Sequence, residues 1–90
     1  MGEPVILGGV RTPFGRKNGA FRETHPAYLL TDLLKGLVDR TGVDKGKIGD
    51  IVCGCVSPVM EQGANIGRVA GLKAGFPVHV PAVSLNRMCG

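Results

Sequence analysis

The chain predicts an α/β fold in the order β-α-β-α-β, with a mostly parallel sheet and flanking helices. Three observations carry this. Short apolar runs at residues 4–10, 50–56 and 78–85 have the length and composition of strands. Leu30, Leu33, Leu34, Leu37 and Val38 recur at i, i+3, i+4, i+7 and i+8, the stripe of an amphipathic helix. A second helical stretch separates the last two runs. Strands alternating with helices build crossover units, whose connections are right-handed.

The first run, Pro4 to Val10, is continuous rather than alternating, as expected of a strand buried on both faces. Residues 11–26 are rich in Gly, Pro and Arg and lack a period, which predicts a long loop, functional or packed on a partner. The first helix is expected over 27–41. Pro26 suits its first turn and Gly42 its left-handed C-terminal cap, with Thr31, Asp32, Lys35 and Asp39 on the polar side. After a turn at 43–49, residues 50–56 are β-branched and apolar on both faces, which predicts a second buried strand.

The second helix is expected over 64–75. Gly63, Gly67, Gly71 and Gly75 fall at strict fourfold spacing, with Ala70 and Ala74 nearby. Interior glycines cost about 1 kcal/mol each in helix propensity. Close packing on a sheet or another helix must offset that. Arg68, Lys73 and the short length argue against a membrane helix. Residues 78–85 give the third strand, with Pro81 confined to its start or an edge and His79 at the strand edge. His25, before a proline at a helix start, reads as structural.

Composition excludes several classes. The chain has 90 residues, 43% hydrophobic and 20% charged, which is globular rather than disordered. Glycine, 15 of 90, has no G-X-Y period, so collagen is excluded and tight turns are favoured. No apolar stretch reaches membrane-spanning length, and residues 1–10 predict no signal peptide. Aromatics are scarce and no basic helix or finger is present, so nucleic acid is not expected as a partner. Net charge is +4, with Arg11, Arg16, Lys17 and Arg22 unopposed by acid within residues 11–22. A solvated loop is the plain reading; attraction of a phosphate-bearing ligand is the sharper one.

The three cysteines are Cys53, Cys55 and Cys89. An odd count without secretory context fits a reducing compartment. Cys53 and Cys55 share one face of a strand and read as small buried hydrophobes. Their C-x-C spacing is not that of zinc sites, and no metal is expected. Cys89 is different. In an open α/β sheet, ligands bind beyond the carboxyl ends of strands. A thiol there, at a turn into a helix and beside Arg87, is favoured as thiolate. It could accept an acyl group, with its own N–H holding the developing oxyanion. The residues alone leave Cys89 open between nucleophile and inert thiol.

The sequence resembles the N-terminal part of the thiolases, the acetyl-CoA acetyltransferase and 3-ketoacyl-CoA thiolase family. The matching pieces are Arg11-Thr12-Pro13-Phe14-Gly15, Gly19-Ala20-Phe21, Ile51-Val52-Cys53-Gly54-Cys55-Val56 and Gln62-Gly63-Ala64-Asn65-Ile66-Gly67-Arg68. Lys73-Ala74-Gly75 and Asn86-Arg87-Met88-Cys89-Gly90 complete the set, in order along essentially the whole chain. The N-R-x-C-G ending is the specific piece.

The resemblance implies a thiolase-like fold, of which residues 1–90 are an incomplete N-terminal domain cut just after the nucleophile. It implies that Cys89 is the acyl-accepting residue and that its N–H is one oxyanion donor. The family's catalytic His residues, its second Cys and most of its CoA-binding region would lie downstream. CoA thioesters are then substrates, with no permanently bound cofactor. The reaction is condensation of two acetyl-CoA or thiolysis of 3-ketoacyl-CoA. Homodimers or homotetramers and a cytoplasmic location are expected, and residues 1–90 alone should be inactive. A ketoacyl synthase of the same fold and a non-catalytic domain with an inert Cys89 are the alternatives.

Overall fold

The structure, a computed structural model, describes residues 2–89. Its helices are α1, Pro26–Thr41, and α2, Ile66–Lys73; its strands are β1, Ile51–Gly54, and β2, Ala82–Leu85. Single 3-10 turns occupy Lys45–Lys47 and Met60–Gln62. The strands run parallel, with Ile51 opposite Ala82 and Gly54 opposite Leu85, joined by the crossover through α2. This is the expected α/β architecture with two of the three expected strands.

Both ends of α1 follow their local chemistry. Pro26 occupies the first turn, and His25 Nδ1 accepts a hydrogen bond from Ala27 N at 3.1 Å. His25 is therefore a helix cap, satisfying an N–H that the helix itself leaves free. Gly42 closes the other end at φ 69°, its N–H donating to Val38 O. The inward stripe contains Thr31, which the heptad-like pattern assigns to the polar side. Thr31 is 5% exposed, and its hydroxyl donates to Ala27 O at 2.6 Å. A hydroxyl satisfied by the preceding turn is buried without an unmet partner.

The core forms in two clusters between the helices and the sheet. Ala27, Cys55 and Ile66 make one, with Leu30, Cys53 and Val69 packed on it. Ala74, Phe76 and Val80 make the other, with Leu34, Val38, Ile48 and Ile51. Both contain inward residues of the sheet. The opposite face is open among the described residues: Val52 is 64% exposed and Val56 58%. The second run is thus buried on one face, not two, because both helices lie on the same side.

The expected first strand, residues 4–10, is not paired. A strand exists through a neighbour that takes its N–H and C=O groups. Here Val5, Leu7 and Gly8 line a groove with Leu34, Val38, Ile48 and Ile51, and β1 pairs with β2 alone among the described residues. Val5, Ile6 and Leu7 remain exposed.

Helix α2 is shorter than its pattern because Ala64 and Asn65 are left-handed, at φ 55° and 58°. Neither can belong to a right-handed helix, so the first turn waits for Ile66. Asn65 then acts as a junction. Its Oδ1 accepts from Arg68 N and from Ser84 Oγ, and its Nδ2 donates to Ala82 O at 2.9 Å. One side chain caps α2 and holds β2. At the other end Gly75, at φ 86°, closes a Schellman cap in which Phe76 N donates to Gly71 O.

The fourfold glycine spacing resolves into two functions. Gly67 and Gly71 are the contact residues: an added Cβ would lie 2.9 Å from Cys53 Cβ at the first and 2.7 Å from Ile51 Cδ1 at the second. Helix α2 does lie very close to β1. Gly63 and Gly75 stand outside the helix, in the preceding turn and the cap. Lys73 places its ammonium 4.7 Å from the Tyr28 ring centre, a cation–π contact between the helices.

The third run shortens to β2 because residues 77–80 form a turn, closed by Val80 N donating to Pro77 O. The Arg68 guanidinium ties down that turn through Val78 O and Val80 O. Pro81 immediately precedes the strand, as expected, and its carbonyl accepts from Ile51 N. His79 lies in the turn rather than on a strand edge, with Nε2 3.2 Å from Gly46 O.

Candidate active site

Parallel strands bring their carboxyl ends to one edge of the sheet. At that edge Cys55 N donates to Leu85 O at 2.8 Å, prolonging the ladder by one bond. The chain leaves β2 through Asn86, Arg87, Met88 and Cys89. Asn86 Nδ2 donates to Val56 O at 3.0 Å, fastening this exit to the end of β1. Asn86 Oδ1 accepts from Met88 N at 2.8 Å, an Asx turn. Met88 is left-handed at φ 60°. Cys89 follows, exposed to solvent. Gly90, the last residue of the motif, lies outside the described residues.

The other thiols belong to the core side of the sheet. Cys55 is buried, with Sγ 3.4 Å from Gln62 Oε1; Cys53 is half-buried. Both line an open cleft of about 230 Å³ with Thr12, Leu30, Leu33 and Ile66. Cys89 does not line it. The structure thus separates the three cysteines as the sequence suggests, although Cys53 is less enclosed than expected. Arg11, Arg16, Lys17 and Arg22 are exposed on the loop before α1. Among the described residues, no group of three His, Cys, Asp or Glu is placed to hold a metal ion. No helix among them is long and apolar enough to cross a membrane.

Burial pushes the Cys53 thiol above its ordinary value, and a charge on the neighbouring Cys55 would push it the same way. With the folded value above the unfolded one, its contribution to stability is whole below the unfolded value. It is lost as pH rises through the folded value. At neutral pH iodoacetamide is therefore expected to label Cys89 first in the folded protein, Cys53 more slowly and Cys55 last. Peptide mass spectrometry across an alkaline pH series reads the order. Labelling of Cys53 as fast as Cys89 at neutral pH would contradict it.

Sequence reasoning missed two residues that tie distant parts of the chain to the strands, Asn65 and Asn86. Each bonds one backbone N–H nearby and one carbonyl far along the chain. The local half had a sequence signal, since asparagine favours caps and Asx turns. The distant half did not, because it depends on which strands become neighbours.

The sequence pattern of the family described as the thiolase N-terminal domain matches residues 4–90. The chain belongs to the thiolase family. It is 49% identical to a 3-ketoacyl-CoA thiolase of Pseudoalteromonas translucida over 92 aligned positions, covering 100% of this chain and 24% of that protein. It is 39% identical to a steroid 3-ketoacyl-CoA thiolase of Mycobacterium tuberculosis, covering 100% of this chain and 22% of that one. The thiolase fold is shared too. The crystal structure of the Bacillus anthracis acetyl-CoA acetyltransferase superposes with a TM-score of 0.82 at 33% identity, over 92% of this chain and 21% of that one. The thiolase chain thus spans about a quarter of the length of these curated relatives.

Proposed function

We propose that the whole protein is a thiolase-type acyltransferase that moves acyl groups between CoA thioesters through an acyl-Cys89 intermediate. In this reading residues 1–90 are part of its N-terminal domain. One observation carries it above the others: Cys89 is exposed on a turn fastened to the carboxyl edge of two parallel strands, within the N-R-M-C-G motif. That edge is where open α/β sheets receive ligands.

The chemistry is a thioester exchange. The Cys89 thiolate attacks the carbonyl carbon of an acyl-CoA and forms a new C–S bond. The C–S bond to CoA then breaks, and CoA leaves as a thiolate that takes up a proton. In this reading the Cys89 N–H donates to the oxygen that carries charge between these steps. A second thiolate or an enolate accepts the acyl group and frees Cys89, which is ping-pong behaviour. The resemblance assigns proton transfer to His and Cys residues beyond residue 90. CoA thioesters are substrates, with no permanently bound cofactor, and the reaction is acetyl-CoA condensation or 3-ketoacyl-CoA thiolysis. A homodimer or homotetramer in the cytoplasm completes the proposal.

The test is brief exposure of the whole protein to acetyl-CoA, followed by peptide mass spectrometry. An acetyl adduct on the peptide containing Cys89 is expected. An adduct confined to another peptide, or no adduct in a protein that turns over, would overturn the assignment.

A further inference from the structure

We propose that Asn86 is a positioning residue for the acyl transfer, setting where Cys89 points by holding the turn before it at two places. The inference rests on the acyl-Cys89 reading.

The argument starts from the backbone of Met88. A non-glycine residue at φ 60° is in a sparsely populated region and persists only when its surroundings hold it there. The holding contact is local: Met88 N donates to Asn86 Oδ1 at 2.8 Å. An Asx turn alone would fix the shape of residues 86–88 and leave the turn free to swing about the end of β2. The other half of the same amide prevents that. Asn86 Nδ2 donates to Val56 O at 3.0 Å, on the neighbouring strand's exit. Val56 is itself placed by the bond from Cys55 N to Leu85 O. The turn is thereby fixed in shape by one arm and in place by the other. Asn86 is exposed and adds no apolar burial, so packing does not account for it. Attack on a thioester carbon requires the sulfur within a few tenths of an ångström of its line of approach, and displacement by about 1 Å costs on the order of 100-fold in rate.

The experiment uses the whole protein and three variants. Asn86→Ala removes both arms. Asn86→Ser keeps an oxygen able to accept from Met88 N and gives up the reach to Val56. Asn86→Asp keeps the acceptor and sets a carboxylate oxygen against Val56 O. In N86A, kcat for acetoacetyl-CoA thiolysis is expected to fall about 10–100-fold with KM within about threefold of wild type. N86S is expected to recover part of that loss, and N86D to fall below N86S. Wild-type kcat in N86A, a loss carried by KM alone, or equal loss in N86A and N86S would overturn the proposal. If N86A does not fold, the order of N86S and N86D decides: kcat in N86D equal to or above N86S overturns it. Hydrogen exchange of the peptide covering residues 86–89 gives a readout independent of turnover. Faster exchange in N86A than in wild type is expected, and unchanged exchange overturns the proposal. Absence of an acetyl adduct on wild-type Cys89 would instead defeat the acyltransferase reading, leaving the exchange result to stand by itself.

Discussion

Cys89→Ser in the whole protein is expected to lower kcat by about 10³-fold or more while the protein still folds. Serine occupies nearly the same space on an exposed turn, so packing changes little. The chemistry changes a great deal. Sulfur is intrinsically far more nucleophilic than a hydroxyl oxygen. The thioester on sulfur also keeps the acyl group activated for the second transfer, which an oxygen ester does not. Both halves of the cycle should therefore slow. Cys55→Ala is the informative control. Cys55 is 6% exposed between Ala27 and Ile66, so its loss leaves a small cavity and lowers stability. Its kcat per folded molecule should remain near wild type. Steady-state thiolysis assays beside thermal melts check both variants. Wild-type turnover in C89S would remove Cys89 from the chemistry.

The second large effect is expected at the contact between α2 and β1. Gly67→Ala should destabilise the whole protein by about 1–3 kcal/mol through overpacking, even though alanine favours a helix by about 1 kcal/mol. The difference between Gly67 and Gly71 lies in what each new methyl would meet. At Gly67 it meets Cys53 Cβ at 2.9 Å. That atom is fixed to the strand backbone and moves only if β1 moves. At Gly71 it meets Ile51 Cδ1 at 2.7 Å, the far end of a flexible side chain. Ile51 can turn to another rotamer, so Gly71→Ala should be close to neutral once the helix gain is included. Urea denaturation of the two variants under one condition makes the comparison. Equal stability losses would show that the contact at Gly67 is not set by the strand backbone.

What the residues revealed in advance follows a physical division. Helix α1 was legible because its stripe, its proline and its capping glycine are all local signals, and all three agree. The close approach of α2 was legible because glycine inside a helix has a cost that only contact offsets. Its start was misread, since nothing in Ala64-Asn65 announces two left-handed residues. The strand expected at residues 4–10 failed for a different reason. Apolar composition says a segment can enter a sheet, but pairing depends on a neighbour's edge being within hydrogen-bonding distance. Thr31 was misplaced because burial of a hydroxyl depends on a carbonyl four residues earlier, not on polarity. At the candidate site the place of Cys89, exposed on the turn just past β2, was legible from the strand-then-turn pattern. The two-armed role of Asn86 was not, because Val56 becomes its neighbour only after the sheet exists.

The parallel pairing of β1 and β2 also dictates an order of events as the chain folds. Antiparallel neighbours can zip up from a tight hairpin, but parallel ones cannot, since a full crossover must first bring the second strand back to the start. Ile51 therefore remains without its partner until residues through Ala82 are available and α2 has docked. The entropic cost of closing that long loop precedes any gain from the ladder, which makes this pairing a slow kind of step. Asn65 stands where the two events meet, because it caps α2 and grips Ala82 and Ser84 with the same amide. On a ribosome the apolar β1 would wait, unpaired, while α2 and the turn behind it emerge. During that interval Ile51 and Val52 are exposed to any other strand edge in reach, so this stretch is where a chaperone would have most to protect.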